Sequence, residues 1–299
     1  MRAIITEGGL PSVGERSEPQ AQPGQVRIAV KAVSLNRGNL RQVAGSLVDV
    51  VGWDVAGVDE RGRRVAALVD EGGFAEVVYA HPDRVAEIPD GVSFAQASAL
   101  PVAALTALRC IRDHAQVLSG QRLLITGGAG GVGAFAVQMG AEIGARVTAV
   151  VGDDRKAAFV QDLGAHEAVV VARGASLSDV FEQRRFEAVL ESAGGAWLAQ
   201  SIRLLAPSGV VALFGNSSGD ETTFNPRDLF GNSGRVHGFF LFRTPAPRTV
   251  GRDLEALLGR VAAGKLRVPI DRDYPFDEAP LAFEQLRARD VHGKIVLTL

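Results

Sequence analysis

Arg122-Leu123-Leu124-Ile125-Thr126-Gly127-Gly128-Ala129-Gly130-Gly131-Val132-Gly133 is the stretch that decides how this chain folds. Leu123, Leu124 and Ile125 form a compact apolar run of the kind that makes a strand buried on both faces. Residues 128–133 then fit G-x-G-x-x-G, and Val132, Phe135, Ala136, Met139 and Ile143 recur beyond at helical spacing. With 35 glycines in the chain, such spacing alone is a weak signal. Its position between a buried-type strand and an amphipathic helix makes it a strong one. The glycines permit a tight turn and let a pyrophosphate approach the backbone, where N–H groups and the helix dipole stabilise its charge. A plain strand-to-helix turn of another α/β protein is the competing reading.

Working outward, Arg146 to Val151 reads as the next strand. A site that prefers NAD places an acidic residue at the end of this strand, on the ribose 2′-hydroxyl. Val151 stands there and cannot do this. Gly152 makes room, and Arg155 or Lys156 can pair with a 2′-phosphate through charge-assisted hydrogen bonds. The expected cofactor is therefore NADPH; Asp153 in the acidic role, with NADH, is the alternative.

Strands and helices alternate on either side of this unit. Asp154 to Leu163 reads as a helix, Glu167 to Ala172 as a strand, and Ala188-Val189-Leu190, Val210 to Phe214 and Val236 to Phe242 continue the series. Such alternation argues for a parallel sheet covered on both faces. Before residue 92 the chain is β-rich: Val26, Ile28 and Val30 alternate with Arg27, Ala29 and Lys31, and Glu60-Arg61-Gly62-Arg63 separates two strands of a hairpin. Ala95 to Arg112 suits helices broken at Pro101, and the tail ends in a strand from Ile295 to Leu299. The expected organisation is a first part over 1–91, a dinucleotide-binding domain over 92–264, and a return to the first part over 265–299.

At 299 residues, 46% of them hydrophobic, the chain can bury a substantial core. A net charge of −2 offers no long-range attraction for nucleic acid or an anionic membrane. No apolar run approaches the roughly 18 residues of a membrane span, and the N-terminus has no apolar secretion core, so a cytoplasmic protein is expected. Cys110 is the single cysteine, which excludes an internal disulfide and a cysteine-rich zinc site.

Several further stretches carry a family resemblance. Leu100-Pro101-Val102-Ala103-Ala104-Leu105-Thr106-Ala107, the glycine turn, Phe214-Gly215-Asn216-Ser217-Ser218-Gly219 and Gly293-Lys294-Ile295-Val296-Leu297 resemble motifs of the zinc-independent quinone oxidoreductases. Ser34-Leu35-Asn36-Arg37-Gly38-Asn39-Leu40 and Gly52-Trp53-Asp54-Val55-Ala56-Gly57 resemble that family's N-terminal signatures. The family lies in the medium-chain dehydrogenase/reductase superfamily, with zeta-crystallin-like proteins and polyketide enoyl reductases. The resemblance implies a doubly wound parallel Rossmann sheet inserted in a GroES-like β-rich domain. By position it implies Asn36 and Thr106 beside the nicotinamide and Ala129, Gly130, Gly131 and Val132 at the pyrophosphate. Gly152 and Lys156 would meet the 2′-phosphate, and Ser192 and Ala193 would lie on the adenosine side. Phe214, Gly215 and Asn216 would meet the nicotinamide ribose, Phe240 and Leu241 the carboxamide, and Lys294 would approach from the tail. Two departures from the family stand out: the stretch between Gly45 and Gly52 is shorter than most relatives have, and no tyrosine stands a few residues after Asn36, the two tyrosines being Tyr79 and Tyr274.

The implied chemistry is hydride addition to a quinone or an α,β-unsaturated carbonyl compound, in which the substrate's own carbonyl delocalises the charge. No metal is expected, because the five histidines are scattered and none pairs at ligand spacing. Asn36 is the expected hydrogen-bond donor and Arg41 the second candidate, with a solvated helix surface as the plain reading of Arg41. Lys294 has an equally plain reading, an exposed edge-strand charge. A stereospecific enoyl reductase of a polyketide-type pathway and a non-catalytic NADPH-binding redox sensor are the rival functions. Residues 235–242 read as an apolar edge strand, and edges of that kind pair with a second copy. A homodimer through this strand is expected, with a small molecule as the other partner.

Overall fold

In the computed structural model, residues 1–172, 174–243 and 248–299 are described. The chain divides into two compact units, Met1–Leu105 with Ala246–Leu299, and Thr106–Pro245.

The second unit is built on a six-stranded sheet. Its strands are Arg122–Ile125, Arg146–Val151, Glu167–Val170, Phe186–Glu191, Leu205–Leu213 and Arg235–Gly238, and every neighbouring pair is parallel. Counted along the chain, their order across the sheet is 3-2-1-4-5-6. This is the doubly wound Rossmann order, and its reversal between Arg122–Ile125 and Phe186–Glu191 is the crevice where such sheets receive ligands. Helix Gly131–Ile143 packs close to the sheet through Gly140, where a Cβ would stand 2.8 Å from Leu123 and 2.9 Å from Val147. Ile143, read as part of that helix's apolar face, is 38% exposed instead, because it lies in the last turn before the left-handed cap at Gly144.

The sixth strand differs from its sequence reading. Pairing ends at Gly238 rather than running to residue 242. Phe239 still donates its N–H to the Leu213 carbonyl, after which Phe239 and Leu241 turn inward and a turn closes from Arg243 N–H to the Phe240 carbonyl. The apolar residues leave the sheet to fill the core, so the strand itself, Arg-Val-His-Gly, is short and largely exposed.

The first unit carries a seven-stranded sheet. Val26–Ser34 lies at its centre, antiparallel to Lys294–Thr298 on one side and to Asp54–Asp59 on the other, and Val77–Ala80 pairs its first half. Arg64–Leu68 completes the expected hairpin with Asp54–Asp59, in the register Val55 to Ala67 and Gly57 to Val65. Ile270–Pro275 runs parallel to Lys294–Thr298. The core beneath gathers Ile4, Ile28, Phe74 and Phe283, the two phenyl rings edge to face at 6.5 Å.

The units divide the chain elsewhere than at residues 91 and 264. Phe94, Ala95 and Ala99 pack with Ala32 and Val296, so helix Phe94–Ser98 sits on the first unit's sheet. Helix Val250–Ala262 starts against the Asp83 and Val85 carbonyls at Gly251 and belongs with the same unit. Among the described residues, no helix is long and apolar enough to cross a membrane.

Candidate functional site

The glycine turn joins the first Rossmann strand to helix Gly131–Ile143 at the reversal of strand order. Gly127 has φ +64°, in the left-handed region that a side chain strains to adopt. A Cβ on Gly133 would stand 2.3 Å from the Gly127 carbonyl oxygen, so only glycine lets the turn fold back on the helix. Ala129 is buried, while Gly130 is exposed and caps the helix; Gly131 and Val132 are half-buried in its first turn. First-turn N–H groups have no partner within their helix, which leaves this end suited to an anion.

Beside the turn, Val151 ends the second strand, buried. Gly152 is exposed, and a Cβ there would meet nothing within 4 Å. Asp153 caps helix Asp154–Asp162 by accepting the Lys156 N–H at 2.9 Å, and its other oxygen holds the Lys156 ammonium at 2.9 Å. The bond from that ammonium keeps the Asp153 carboxyl below its usual range. Asp153, the alternative ribose ligand, is therefore engaged twice by Lys156.

Thr126 directly follows one of the two strands that flank the crevice, and Glu191 ends the other. The Ser192 N–H donates to the Thr126 hydroxyl at 3.0 Å, and the Ala193 N–H donates to the Glu191 carboxylate at 2.8 Å. Ser217 and Ser218 donate their N–H groups to the Ser192 and Ala193 carbonyls, which lashes the segment after Phe214 to this loop. Gly215 and Asn216 line an open groove of about 460 Å³ with Gly194, Leu198, Asp220 and Glu221. Phe214 is half-buried beside them. Thr106 is buried on helix Ala103–Arg109, Leu241 is buried after the sixth strand, and Phe240 is 57% exposed.

In the first unit, the sheet register brings Asn36, Asp54 and Lys294 together. Ser34 lies opposite Asp54 on one side and Val296 on the other, and Lys294 opens the last strand. The Lys294 ammonium donates to the Asn36 amide oxygen at 2.7 Å and the Leu35 carbonyl at 2.8 Å, and lies 3.5 Å from Asp54 Oδ2. Asp54 also accepts the Ser34 hydroxyl at 2.9 Å, the Asn36 amide N–H at 2.8 Å and the Val102 N–H at 2.8 Å. Burial pushes the Asp54 carboxyl up and the Lys294 ammonium down, and their mutual attraction opposes both changes. Lys294 is thus not an exposed edge charge; it is 2% exposed because the strand start tucks under Asn36. The Asn36 amide nitrogen also donates to the Ser34 carbonyl, at a long 3.4 Å. Arg41 is exposed on helix Arg37–Ala44.

Asp54, Thr126 and Glu191 were absent from the residues picked in sequence. The signal for two of them was available: each is an acidic group set directly against an apolar strand run, Val55-Ala56 for Asp54 and Ala188-Val189-Leu190 for Glu191.

Residues 163–297 match a family model described as zinc-binding dehydrogenase. The chain is 33% identical, over 95% of its length, to a spectinabilin polyketide synthase system protein of Streptomyces orinoci, and spans 14% of that protein's length. It is 26% identical to a quinone oxidoreductase of Pseudomonas aeruginosa, over 97% of this chain and 96% of that one. Among solved structures, a mycobacterial protein complexed with NADPH superposes with a TM-score of 0.89 at 26% identity, over the whole of both chains. The residues present do not fit the zinc of the matched model's description. Cys110 is buried with its thiol pushed up by that burial, and among the described residues no three His, Cys, Asp or Glu side chains gather as a ligand set. The similarity in sequence to a free-standing quinone oxidoreductase and to part of a polyketide synthase protein, together with this sheet order and glycine turn, fits the quinone-oxidoreductase-like family of the medium-chain dehydrogenase/reductase superfamily.

Proposed function

We propose that the chain is an NADPH-dependent, metal-free oxidoreductase that reduces a quinone or an α,β-unsaturated carbonyl compound. The observation that carries this reading is the glycine turn at the strand-order reversal, with Lys156 held at the end of the second strand. When bound, NADPH supplies a hydride. Residues 129–132 hold the pyrophosphate, Lys156 and Gly152 receive the 2′-phosphate, and Ser192, Ala193, Phe214, Gly215 and Asn216 shape the rest of the nucleotide surface. Asn36 offers an amide N–H as a hydrogen bond to the acceptor's carbonyl oxygen, where negative charge develops, and water supplies the proton that completes the reduction. Thr106, Phe240, Leu241 and Lys294 complete the proposed cofactor set, and Arg41 remains the second donor. The NADPH-bound mycobacterial relative supports the cofactor, and the quinone oxidoreductase of Pseudomonas aeruginosa supports the acceptor class.

A second reading, enoyl reduction on a polyketide-type intermediate, is favoured by the higher identity to the polyketide synthase protein, 33% against 26%. NADPH oxidation assayed with 1,4-benzoquinone, an enone and an enoyl thioester separates the two; turnover of a saturated aldehyde alone overturns both. Tight NADPH binding without any turnover identifies a sensor. The proposal includes a cytoplasmic homodimer joined through the exposed strand Arg235–Gly238, and a monomeric mass in light scattering refutes that assembly.

A further inference from the structure

Glu191 is a fully buried carboxylate at the last residue of strand Phe186–Glu191, and nothing in the proposed chemistry uses it. Its donors are neutral: the Ala193 N–H at 2.8 Å, the Gly194 N–H at 2.9 Å and the Thr126 hydroxyl at 3.2 Å. Among the described residues it has no ionic partner. Taking a carboxylate out of water without a cation is unfavourable, so the arrangement calls for an explanation beyond stability.

The explanation lies in what those donors belong to. Both N–H groups come from the loop that leaves the strand, and the chain there takes φ +75° at Gly194 and φ +53° at Gly195. The carboxylate is the acceptor around which that reversal closes. From the loop, Ser192 donates to Thr126 Oγ1, next to the glycine turn, while its carbonyl and that of Ala193 hold Ser217 and Ser218. Gly194 also lies so close to Asn216 that a Cβ would fall 2.1 Å from its amide oxygen. Three loops at the sheet's carboxyl edge, around residues 126–128, 192–195 and 214–218, therefore share one buried anchor.

We propose that Glu191 is the positioning residue of the nucleotide surface, acting through the loop 192–195 on Ser192, Ala193 and Asn216. The proposal rests on the nucleotide reading above. In Glu191→Gln the amide nitrogen must face an N–H that now finds no acceptor, and in Glu191→Ala both loop N–H groups are left unsatisfied.

The test is a titration of wild-type, Glu191→Gln, Glu191→Ala and Thr126→Val chains with NADPH by its fluorescence, beside thermal unfolding and benzoquinone kinetics. The expected result is a Kd raised roughly tenfold in Glu191→Gln and more in Glu191→Ala, the scale of an unmade hydrogen bond to a charged acceptor. KM for NADPH rises with it, while kcat at saturating NADPH stays within about twofold, a split that general loss of stability does not produce. Folded Glu191→Gln protein that binds NADPH as tightly as wild type overturns the proposal. If both Glu191 variants fail to fold, Thr126→Val decides: it removes the hydroxyl that donates to Glu191 and accepts the Ser192 N–H, so it raises Kd at least about threefold if the anchor matters, and an unchanged Kd overturns the proposal. A wild-type chain that binds no NADPH fails differently, because it refutes the nucleotide reading itself and the proposal with it.

Discussion

Replacing Lys294 by methionine removes the only cation bonded to Asp54 among the described residues while filling nearly the same volume. The Asp54 side chain is 0% exposed and the Lys294 side chain 1%, so water cannot take over the lost partner. Breaking a buried pair from one side typically costs 3–5 kcal/mol, about a third of the stability of an ordinary domain. Three donors remain on Asp54, from Ser34, Asn36 and Val102, which places the expected loss at the lower end, about 3 kcal/mol. The double variant Asp54→Asn/Lys294→Met has no buried charge and should recover about half of that loss or more. Urea unfolding followed through Trp53, next to Asp54 and the sole indole once Trp197 is replaced by Phe, reads the unit concerned. The pH dependence has a definite sign. In Lys294→Met the carboxyl of folded Asp54 stays above its unfolded value, so stability is highest when it is protonated and is lost as pH rises through the folded value. Acid should therefore shrink the deficit. A loss below about 1 kcal/mol, or strictly additive single and double variants, would refute the reasoning.

Three further outcomes are expected. Lys156→Ala should weaken NADPH roughly tenfold or more while leaving NADH within about twofold, since only a 2′-phosphate uses the charge-assisted bond; equal losses in parallel titrations would remove Lys156 from cofactor choice. Gly133→Ala must displace backbone, because its Cβ would meet the Gly127 and Gly128 oxygens at 2.3 and 2.7 Å; about 1–3 kcal/mol of overpacking and loss of NADPH binding are expected, checked by calorimetry. The His114 ring stacks on His237 at 4.2 Å and on Phe239 at 4.7 Å, and burial followed by the His237 charge lowers its basicity. Asp113 opposes that shift and Arg109 adds to it. A base weakened by folding binds more protons when unfolded, so stability should rise with pH from about 5 to 7, the window in which histidine titrates. His114→Gln should flatten that slope in thermal melts.

The order of strands and helices and the glycine turn were readable in the sequence, because each rests on contacts within a few positions along the chain. The end of the sixth strand was not. Phe239, Phe240, Leu241 and Phe242 carry the apolar character of a strand, yet the backbone leaves the sheet at Gly238 so that Phe239 and Leu241 can be buried. Periodicity cannot distinguish a residue buried by pairing from one buried by turning inward. The unit boundaries were hidden for a related reason: helix Phe94–Ser98 resembles the helices that follow it, and only its packing on Ala32 and Val296 assigns it to the first sheet.

Lys294 shows the same division most sharply. In sequence it is a charge at the start of a strand, and a solvent-facing edge is its ordinary meaning. Residues 34, 54 and 294 become neighbours only when Val26–Ser34 lies between Asp54–Asp59 and Lys294–Thr298 in one particular register. Local pattern thus determined the Rossmann series and its glycine turn, since strand, turn and helix are set by neighbouring residues. The buried Asp54–Lys294 pair and the Glu191 anchor were decided by the tertiary structure, because the burial of a charge depends on strands distant in sequence closing over it.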